Sequence, residues 1–257
     1  MILGAGRGTR LGAASRTVPK ILVDIAGQPL LQRQVVYLHA QGTRRVVVNS
    51  NHRAEKVEAF VHAYDGPVEV VEVREPALLG TAGGVRHALD QLGDQPFVVL
   101  YGDVLVGESL GALFAAHAAN GAQATITVYE SAELLGKRTV QVREDGRVYG
   151  FTEKAAPAGA DEMGLINAGI YVIDPEFVAD LPLGTELDFG CDVFPSAIEH
   201  QASIAAVRLA APVIDVGTPA GLERAHALLA SGRSEWPTRA HGDADGNPGS
   251  PASPGAS

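Results

Sequence analysis

Glycines and arginines cluster at the start of the chain. The stretch Leu3–Leu11 reads LGAGRGTRL, and Pro19–Lys20 follows it. Glycine lets backbone N–H groups come close to an anion, and a guanidinium group presents its donors in a plane that suits phosphate oxygens. The stretch therefore predicts a phosphate-binding loop. It lacks both the Gly-Lys-Ser/Thr ending of the P-loop and the Gly-x-Gly-x-x-Gly spacing of dinucleotide-binding loops, so it is of a third type.

Two aspartates follow apolar strands that lie far apart in the sequence. Asp103 comes after Phe97–Leu100, and Asp215 comes after Val213–Ile214. In an α/β sheet the carboxyl ends of the strands open onto the ligand cleft. Because Mg²⁺ takes one or two protein carboxylates and fills its other positions with water and phosphate oxygens, the pair predicts a magnesium site. The alternative is that each aspartate only caps a turn or a helix.

Apolar strands alternate with helical segments, which predicts βαβ units and a largely parallel sheet. The predicted strands are Ile2–Leu3, Val46–Val48, Val68–Val73, Phe97–Leu100 and Ala124–Val128, and the predicted helices are Pro29–Ala40 and Ala82–Leu92. After these, a hairpin of Val140–Arg143 and Val148–Thr152 predicts an antiparallel extension of the sheet. Strands at Ile166–Ile173 and Val213–Ile214 and helices near Asp192–His200 and at Pro219–Leu229 complete the body.

Composition bounds the class of protein. The chain has 257 residues, a hydrophobic content of 46% and a formal charge of −10, which favours one large α/β domain and excludes a general nucleic-acid binder. The single cysteine, Cys191, excludes a disulfide framework, and we interpret it as a small packed residue. Since neither a signal peptide nor a membrane-spanning run is present, we expect a cytoplasmic protein. Residues 1–230 form the predicted domain, and residues 231–257, rich in Gly, Pro and Ser, form a predicted disordered tail.

Five motifs, in order along the chain, resemble those of the sugar-1-phosphate nucleotidyltransferases. They are Gly6–Leu11 with Pro19–Lys20, Leu79–Gly84, Tyr101–Asp103, Phe151–Lys154 with Ile166–Gly169, and Ile214–Pro219. The resemblance covers Leu3 to Leu229. It implies a Rossmann-like, three-layer α/β/α (GT-A-like) fold with a mostly parallel central sheet and an antiparallel sugar-binding extension. It also implies an enzyme that joins a nucleoside triphosphate to a sugar 1-phosphate and releases pyrophosphate.

The resemblance also implies roles for individual residues. The implied catalytic residues are Arg10, Lys20, Asp103, Lys154 and Asp215, with Mg²⁺ held by Asp103 and Asp215. The implied nucleotide-binding residues are Leu3, Gly4, Ala5, Gly6, Arg7, Gly8, Thr9, Gly80, Thr81, Ala82 and Gly102. The implied sugar-phosphate-binding residues are Glu153, Lys154, Asn167 and Gly169. GTP is the favoured nucleotide and a hexose or heptose 1-phosphate the favoured acceptor. We expect no nucleic-acid or membrane partner, and self-association into a homo-oligomer stays open.

The chain also departs from the family pattern, and other functions stay open. Gly12–Ser15 lacks the proline that often follows the glycine turn, and Arg138 stands where many members have glycine. A phosphocholine cytidylyltransferase-like enzyme and a non-catalytic regulatory subunit that binds nucleotide sugars are the open alternatives. A dinucleotide oxidoreductase is disfavoured, because the glycine spacing is wrong and Asn49–Asn51 occupies the place of the acidic residue after the second strand.

Overall fold

The computed structural model describes residues 1–15, 17–134, 138–153, 163–211 and 213–230, without the side chains of residues 13–15 and 153. The strands are β1 (Ile2–Leu3), β2 (Asp24–Ile25), β3 (Gln28–Pro29), β4 (Arg45–Ser50), β5 (Glu69–Arg74), β6 (Phe97–Tyr101), β7 (Val104–Val106), β8 (Ala124–Ser131), β9 (Arg138–Val142), β10 (Val148–Glu153), β11 (Gly164–Ile173), β12 (Ile204–Arg208) and β13 (Val213–Asp215). The predicted tail, residues 231–257, lies outside the described residues.

The α-helices are α1 (Leu30–Ala40), α2 (Ala54–Ala63), α3 (Gly80–His87), α4 (Leu89–Leu92), α5 (Gly111–Asn120), α6 (Pro175–Ala179), α7 (Phe194–Glu199) and α8 (Pro219–Ala230). Two 3₁₀ segments, Thr9–Ser15 and Lys20–Leu22, follow β1, and a π-helical turn, Phe189–Val193, leads into α7. Within the described part of the chain, no helix combines the length and the apolar character that a bilayer span requires.

Nine strands form one mixed sheet with β1 near its centre. Along the main path the order is β10-β9-β11-β6-β1-β4-β5, while β8 pairs with β11 and β12 pairs with β8. Strands β6, β1, β4 and β5 run parallel to one another, as the alternation of strands and helices predicts. Strand β11 joins β6 antiparallel, and the hairpin β9–β10 lies beside β11. The predicted antiparallel extension is therefore confirmed.

Helices cover both faces of the sheet, which confirms the three-layer α/β/α fold. Successive side chains of a strand point to opposite faces. In β4, Val46 and Val48 pack in one core with residues of α1 and α2, whereas Val47 packs in the other core with residues of α3. This strand is buried on both faces, as expected for the middle of a parallel sheet.

An aromatic cluster fixes the π-helical turn against the sheet. Tyr171, Phe189 and Phe194 are fully buried, and the ring centroids of the three lie 5.2 to 5.5 Å apart. Edge-to-face and stacked aromatic pairs at this distance stabilise a core beyond the area that they bury. The cluster thereby holds the segment that precedes Phe189 across the carboxyl end of the sheet, where α3 begins.

Candidate active site

The carboxyl ends of β1, β4 and β6 open onto a cleft of about 610 Å³. Of the residues expected to bind nucleotide, it is lined by Leu3, Gly4, Ala5, Gly6, Gly80, Thr81 and Gly102, together with Lys20 and Asp103. It is also lined by residues that the sequence reasoning did not assign to the site, namely Ile21, Asn49, Glu75, Leu78, Tyr101, Glu186, Asp188 and Asp192. A concave site at the carboxyl ends of parallel strands is where an open α/β sheet binds its ligands.

Two cations and two carboxylates meet beside this cleft, and of these four side chains those of Lys20 and Asp103 line it. The Lys20 ammonium forms a salt bridge with Asp103, and these side chains are only 14% and 20% exposed. The Arg10 guanidinium lies 3.8 Å from Asp103 and 3.5 Å from Asp215. A main-chain bond joins the two acidic segments, because the Val216 N–H donates to the carbonyl of Asp103 at 2.8 Å. Four of the predicted catalytic residues thus come together from three distant parts of the sequence.

Gly217 leaves open the space that these charged groups share. A Cβ at this position would lie 2.7 Å from Asp215 Oδ1, 3.0 Å from Asp103 Oδ2 and 2.4 Å from Lys20 Nζ. An oxygen atom of each aspartate therefore faces one small volume, which the Lys20 ammonium also reaches. Among the described residues, no group of three or more His, Cys, Asp or Glu side chains could hold a metal. A site of two carboxylates suits an ion that takes its remaining ligands from water and phosphate.

The glycine loop presents an open backbone to the cleft. A Cβ on Gly6 would meet no atom within 4 Å, so a ligand can approach the main chain here. Gly8 has a φ of +63°, a conformation that glycine adopts without strain. The loop then turns back through a hydrogen bond from the Leu11 N–H to the carbonyl of Gly8. Arg7 is exposed and does not line the cleft, and Thr9 begins the 3₁₀ segment.

The glycines of the second motif are required by close contact with the segment before Phe189. A Cβ on Gly80 would lie 2.4 Å from the carbonyl oxygen of Leu187, and one on Gly83 would lie 2.3 Å from that of Thr185. Ala82 is fully buried and donates its N–H to the carbonyl of Leu187, so the structure places it behind the cleft. The motif therefore has a packing role that its sequence alone does not reveal.

A buried Asn–Glu pair lies between the glycine loop and α3. The side-chain amide of Asn49 accepts a hydrogen bond from the Gly4 N–H at 2.7 Å and donates one to Glu75. Glu75 also accepts from the Leu79 N–H at 3.2 Å. Both side chains belong to residues that are only 2% exposed, and burial raises the pKa of the Glu75 carboxyl above its ordinary value. Asn49 is the last but one residue of β4 and Glu75 directly follows β5, so both lie at the carboxyl ends of strands.

The acceptor end of the predicted site is described in part. Lys154 lies outside the described residues, and Glu153 ends β10 directly opposite Arg138 of β9. Asn167 accepts from the Gly169 N–H at 3.0 Å and donates to the Tyr171 hydroxyl at 2.6 Å, and it does not line the cleft. Asn167 and Gly169 therefore lie together at an irregularity within β11, where its pairing with β8 shifts register.

The π-helical turn supplies carboxylates to this wall. Asp188 accepts from the Gly190 and Cys191 N–H groups and from the Thr81 hydroxyl, so it caps the turn, while Asp192 accepts from the Asp188 N–H. Asp188 is therefore the N-cap of this turn, four residues before the Asp192 near which the sequence predicts the helix to begin. Cys191 itself is exposed, and the expectation that it packs in the interior is wrong, because the capped turn projects it outward. Desolvation and the nearby Asp188 raise the pKa of its thiol, which does not favour a nucleophile.

Comparison with known proteins identifies the family. Residues 1–232 match the nucleotidyl transferase family. The chain belongs to this family. It is 32% identical over 233 residues to the UTP–glucose-1-phosphate uridylyltransferase of Synechocystis sp., covering 84% of this chain and 59% of that protein's length. It is 30% identical over 260 residues to the mannose-1-phosphate guanylyltransferase of Mycobacterium tuberculosis, covering 100% of this chain and 72% of that protein.

A solved structure has the same fold. The crystal structure of HddC from Yersinia pseudotuberculosis complexed with GMP-PN superposes with a TM-score of 0.75 at 26% sequence identity. The match covers 89% of this chain and 97% of that one. The similarity of fold therefore spans most of the chain.

Proposed function

We propose that this nucleotidyl transferase transfers a guanylyl group from GTP to a hexose or heptose 1-phosphate, with Mg²⁺, and releases pyrophosphate. The observation that carries the proposal is the convergence of Arg10, Lys20, Asp103 and Asp215 beside the glycine loop. Cations and carboxylates at one point match a reaction in which two phosphate groups, both negatively charged, must be brought together. The names of the relatives, sugar-1-phosphate guanylyltransferases and uridylyltransferases, support the reaction class.

The chemistry demands positioning and charge neutralisation more than proton transfer. The attacking oxygen belongs to a phosphate that is already an anion, so a general base is not required. Arg10 and Lys20 would bind the triphosphate and stabilise the charge that develops on the leaving pyrophosphate. Asp103 and Asp215 would hold Mg²⁺, which when bound neutralises phosphate charge and polarises a phosphoryl oxygen.

At the acceptor end, the carboxylates that face the cleft suit a polyhydroxylated ligand. Glu186 and Asp192 lie on the cleft wall formed by the segment around the π-helical turn. An ionised carboxylate only accepts hydrogen bonds, and sugar hydroxyls can donate them. We assign Glu153 and Lys154 to the same acceptor, with the ammonium of Lys154 on its phosphate.

The preference for GTP over UTP rests on Glu75. Its buried carboxylate lines the cleft beside Gly80 and Thr81 and offers acceptors only. Guanine presents N1–H and a 2-amino group as two adjacent donors, whereas uracil presents one N3–H between two carbonyl oxygens. A site built to hydrogen-bond a group discriminates strongly against a ligand that lacks it, because its own polar atoms are then left unpaired.

A substrate matrix tests the proposal. Nucleoside triphosphates are combined with mannose, glucose, heptose and N-acetylhexosamine 1-phosphates and with phosphocholine, and pyrophosphate release is measured in Mg²⁺. We expect GTP with one hexose or heptose 1-phosphate to be the best pair. Asp103→Asn lowers turnover by about 100-fold or more while circular dichroism shows that the fold is retained, as expected for the loss of charge stabilisation. Near-normal turnover of that variant, or activity with phosphocholine alone, contradicts the proposal.

A further inference from the structure

The side chains of Asn49 and Glu75 form a chain of hydrogen bonds through the interior, from the glycine loop to the segment before α3. The Gly4 N–H can donate only to an oxygen, so the Asn49 carbonyl must face Gly4 and its NH₂ must face Glu75. The other carboxylate oxygen of Glu75 accepts from the Leu79 N–H. We call these two side chains the Asn–Glu relay.

The surrounding backbone is shaped to hold the relay. A Cβ on Gly84 would lie 2.6 Å from Asn49 Nδ2 and 2.6 Å from Glu75 Oε1, so this fifth residue of α3 must be glycine to leave room for the two side chains. The main chain of Glu75 is fixed as well. Its N–H donates to the carbonyl of Ser50 at 2.8 Å, and its carbonyl accepts from Asn51 at 3.0 Å. No Lys or Arg of the described ranges forms a salt bridge with Glu75, so the hydrogen bonds from Asn49 and Leu79 are what orient its charge.

From this geometry we propose that Asn49 is a positioning residue that couples recognition of the nucleobase by Glu75 to the placement of the glycine loop. One amide group orients the carboxylate at the base end of the cleft and holds the start of the loop at the phosphate end. This inference rests on the proposed function, since it assigns Glu75 to guanine. When Asn49 is lost, Glu75 can turn away from the base and Gly4 loses its acceptor, so base discrimination and turnover fall together.

The relay can be rebuilt with its polarity reversed, which gives a matched test. In Asn49→Asp alone, two carboxylates share one buried place and repel. In the double variant Asn49→Asp/Glu75→Gln, the new carboxylate accepts from the Gly4 N–H and from the new amide, whose carbonyl oxygen accepts from the Leu79 N–H. Every bond of the relay is restored with the same shapes and the same total charge. The carboxylate that reads the base, however, is gone.

The experiment measures kcat and KM with GTP and with ITP, which lacks the 2-amino group, and the melting temperature of every variant. We expect the wild type to prefer GTP by about tenfold or more, the effect of one hydrogen bond to a charged group. Asn49→Asp lowers kcat/KM for GTP by about 100-fold, as a misplaced binding loop does. The kcat of the double variant is at least about tenfold higher than that of Asn49→Asp, because its glycine loop is held again. The double variant does not regain the preference for GTP.

Asn49→Ala adds no charge and provides a second measurement if Asn49→Asp does not fold. A merely structural residue would lower the activities with GTP and ITP by the same factor, whereas the relay predicts a larger loss with GTP. Asn120→Asp is the control for the added charge. It lies at the end of α5, and its side-chain oxygen accepts from the Ala122 N–H in both forms, so the kinetic constants stay unchanged.

The outcomes separate the two claims. A wild type that releases no pyrophosphate with any nucleotide refutes the proposed function, and the role of the relay falls with it. An active wild type whose double variant is no better than Asn49→Asp refutes the relay alone. Equal losses with GTP and ITP in Asn49→Ala do the same. Recovery of kcat without recovery of the GTP preference supports both.

Discussion

The salt bridge between Lys20 and Asp103 leads to a prediction about metal binding. In this structure the ammonium neutralises one of the two carboxylates that would hold Mg²⁺, so a metal ion must displace it. Replacing Lys20 with Met keeps the length of the side chain and removes the charge. We therefore expect Lys20→Met to bind a divalent ion more tightly than the wild type when nucleotide is absent, although its turnover falls.

The expected magnitude follows from the burial of the pair. Both side chains are less than a quarter exposed, so the interaction is not reduced to that of a surface ion pair. A hydrogen bond to a charged group contributes about 1.5–3 kcal/mol, and about 1.4 kcal/mol changes an equilibrium constant tenfold, so the Kd should fall about 10- to 100-fold. Arg10 stays near Asp103, but its side chain is 61% exposed and competes less.

The assay titrates Mn²⁺ into each protein without nucleotide and follows the free ion by electron paramagnetic resonance. Lys56→Met is the matched control, because Lys56 lies on α2 and its ammonium donates to the carbonyl of Thr17 and not to either aspartate. The control should bind Mn²⁺ with the affinity of the wild type. Equal affinities of Lys20→Met and the wild type would refute the reasoning, since they would mean that the ammonium does not compete with the metal.

Two further predictions concern backbone strain and pH. Gly80→Ala places a Cβ 2.4 Å from the carbonyl oxygen of Leu187 at a φ of +70°, so it should destabilise the fold by more than the roughly 1–3 kcal/mol of a strained backbone conformation alone, measured by urea unfolding. Gly184→Ala has a similar φ of +73° and no atom within 4 Å, so it measures the backbone cost by itself. Burial raises the pKa of Glu75, so the folded protein binds the carboxyl proton more tightly than the unfolded chain does. The resulting contribution to stability is greatest below the pKa of the unfolded carboxyl and is lost as the pH rises through the folded pKa. The free energies of unfolding of the wild type and of Glu75→Gln, measured across this pH range, should show the difference.

Other results would contradict these two predictions. If Gly80→Ala and Gly184→Ala lose the same free energy of unfolding, the contact with Leu187 imposes no cost of its own. If the difference in stability between the wild type and Glu75→Gln does not change with pH, the folded protein does not raise the pKa of that carboxyl. The raised pKa of Glu75 also predicts that the KM for GTP depends on pH. If Glu75 reads guanine as proposed, binding requires the ionised carboxylate, so the KM for GTP should rise as the pH falls through the raised pKa.

The sequence predicted the charged end of the site because local signals were sufficient there. A glycine-rich turn after a two-residue strand and two aspartates at strand ends each have a short-range physical reason, and parallel strands bring their carboxyl ends to one edge. The hairpin of β9 and β10 was predicted for the same reason, since its turn residues are adjacent in the sequence. Arg10 and Asp215, which are 205 positions apart, nevertheless lie 3.5 Å from each other.

What the sequence did not predict depends on contacts between distant segments. The glycines of the second motif are explained by the crossing of Thr185–Leu187, Gly84 by the Asn–Glu relay and Gly217 by the space between three charged groups. In the sequence each of these glycines could as well be an ordinary turn or helix start. Tertiary packing decides which of these glycines are required. A glycine is required where a Cβ would overlap another chain segment, and that segment comes close only when the sheet, α3 and the π-helical turn have packed together.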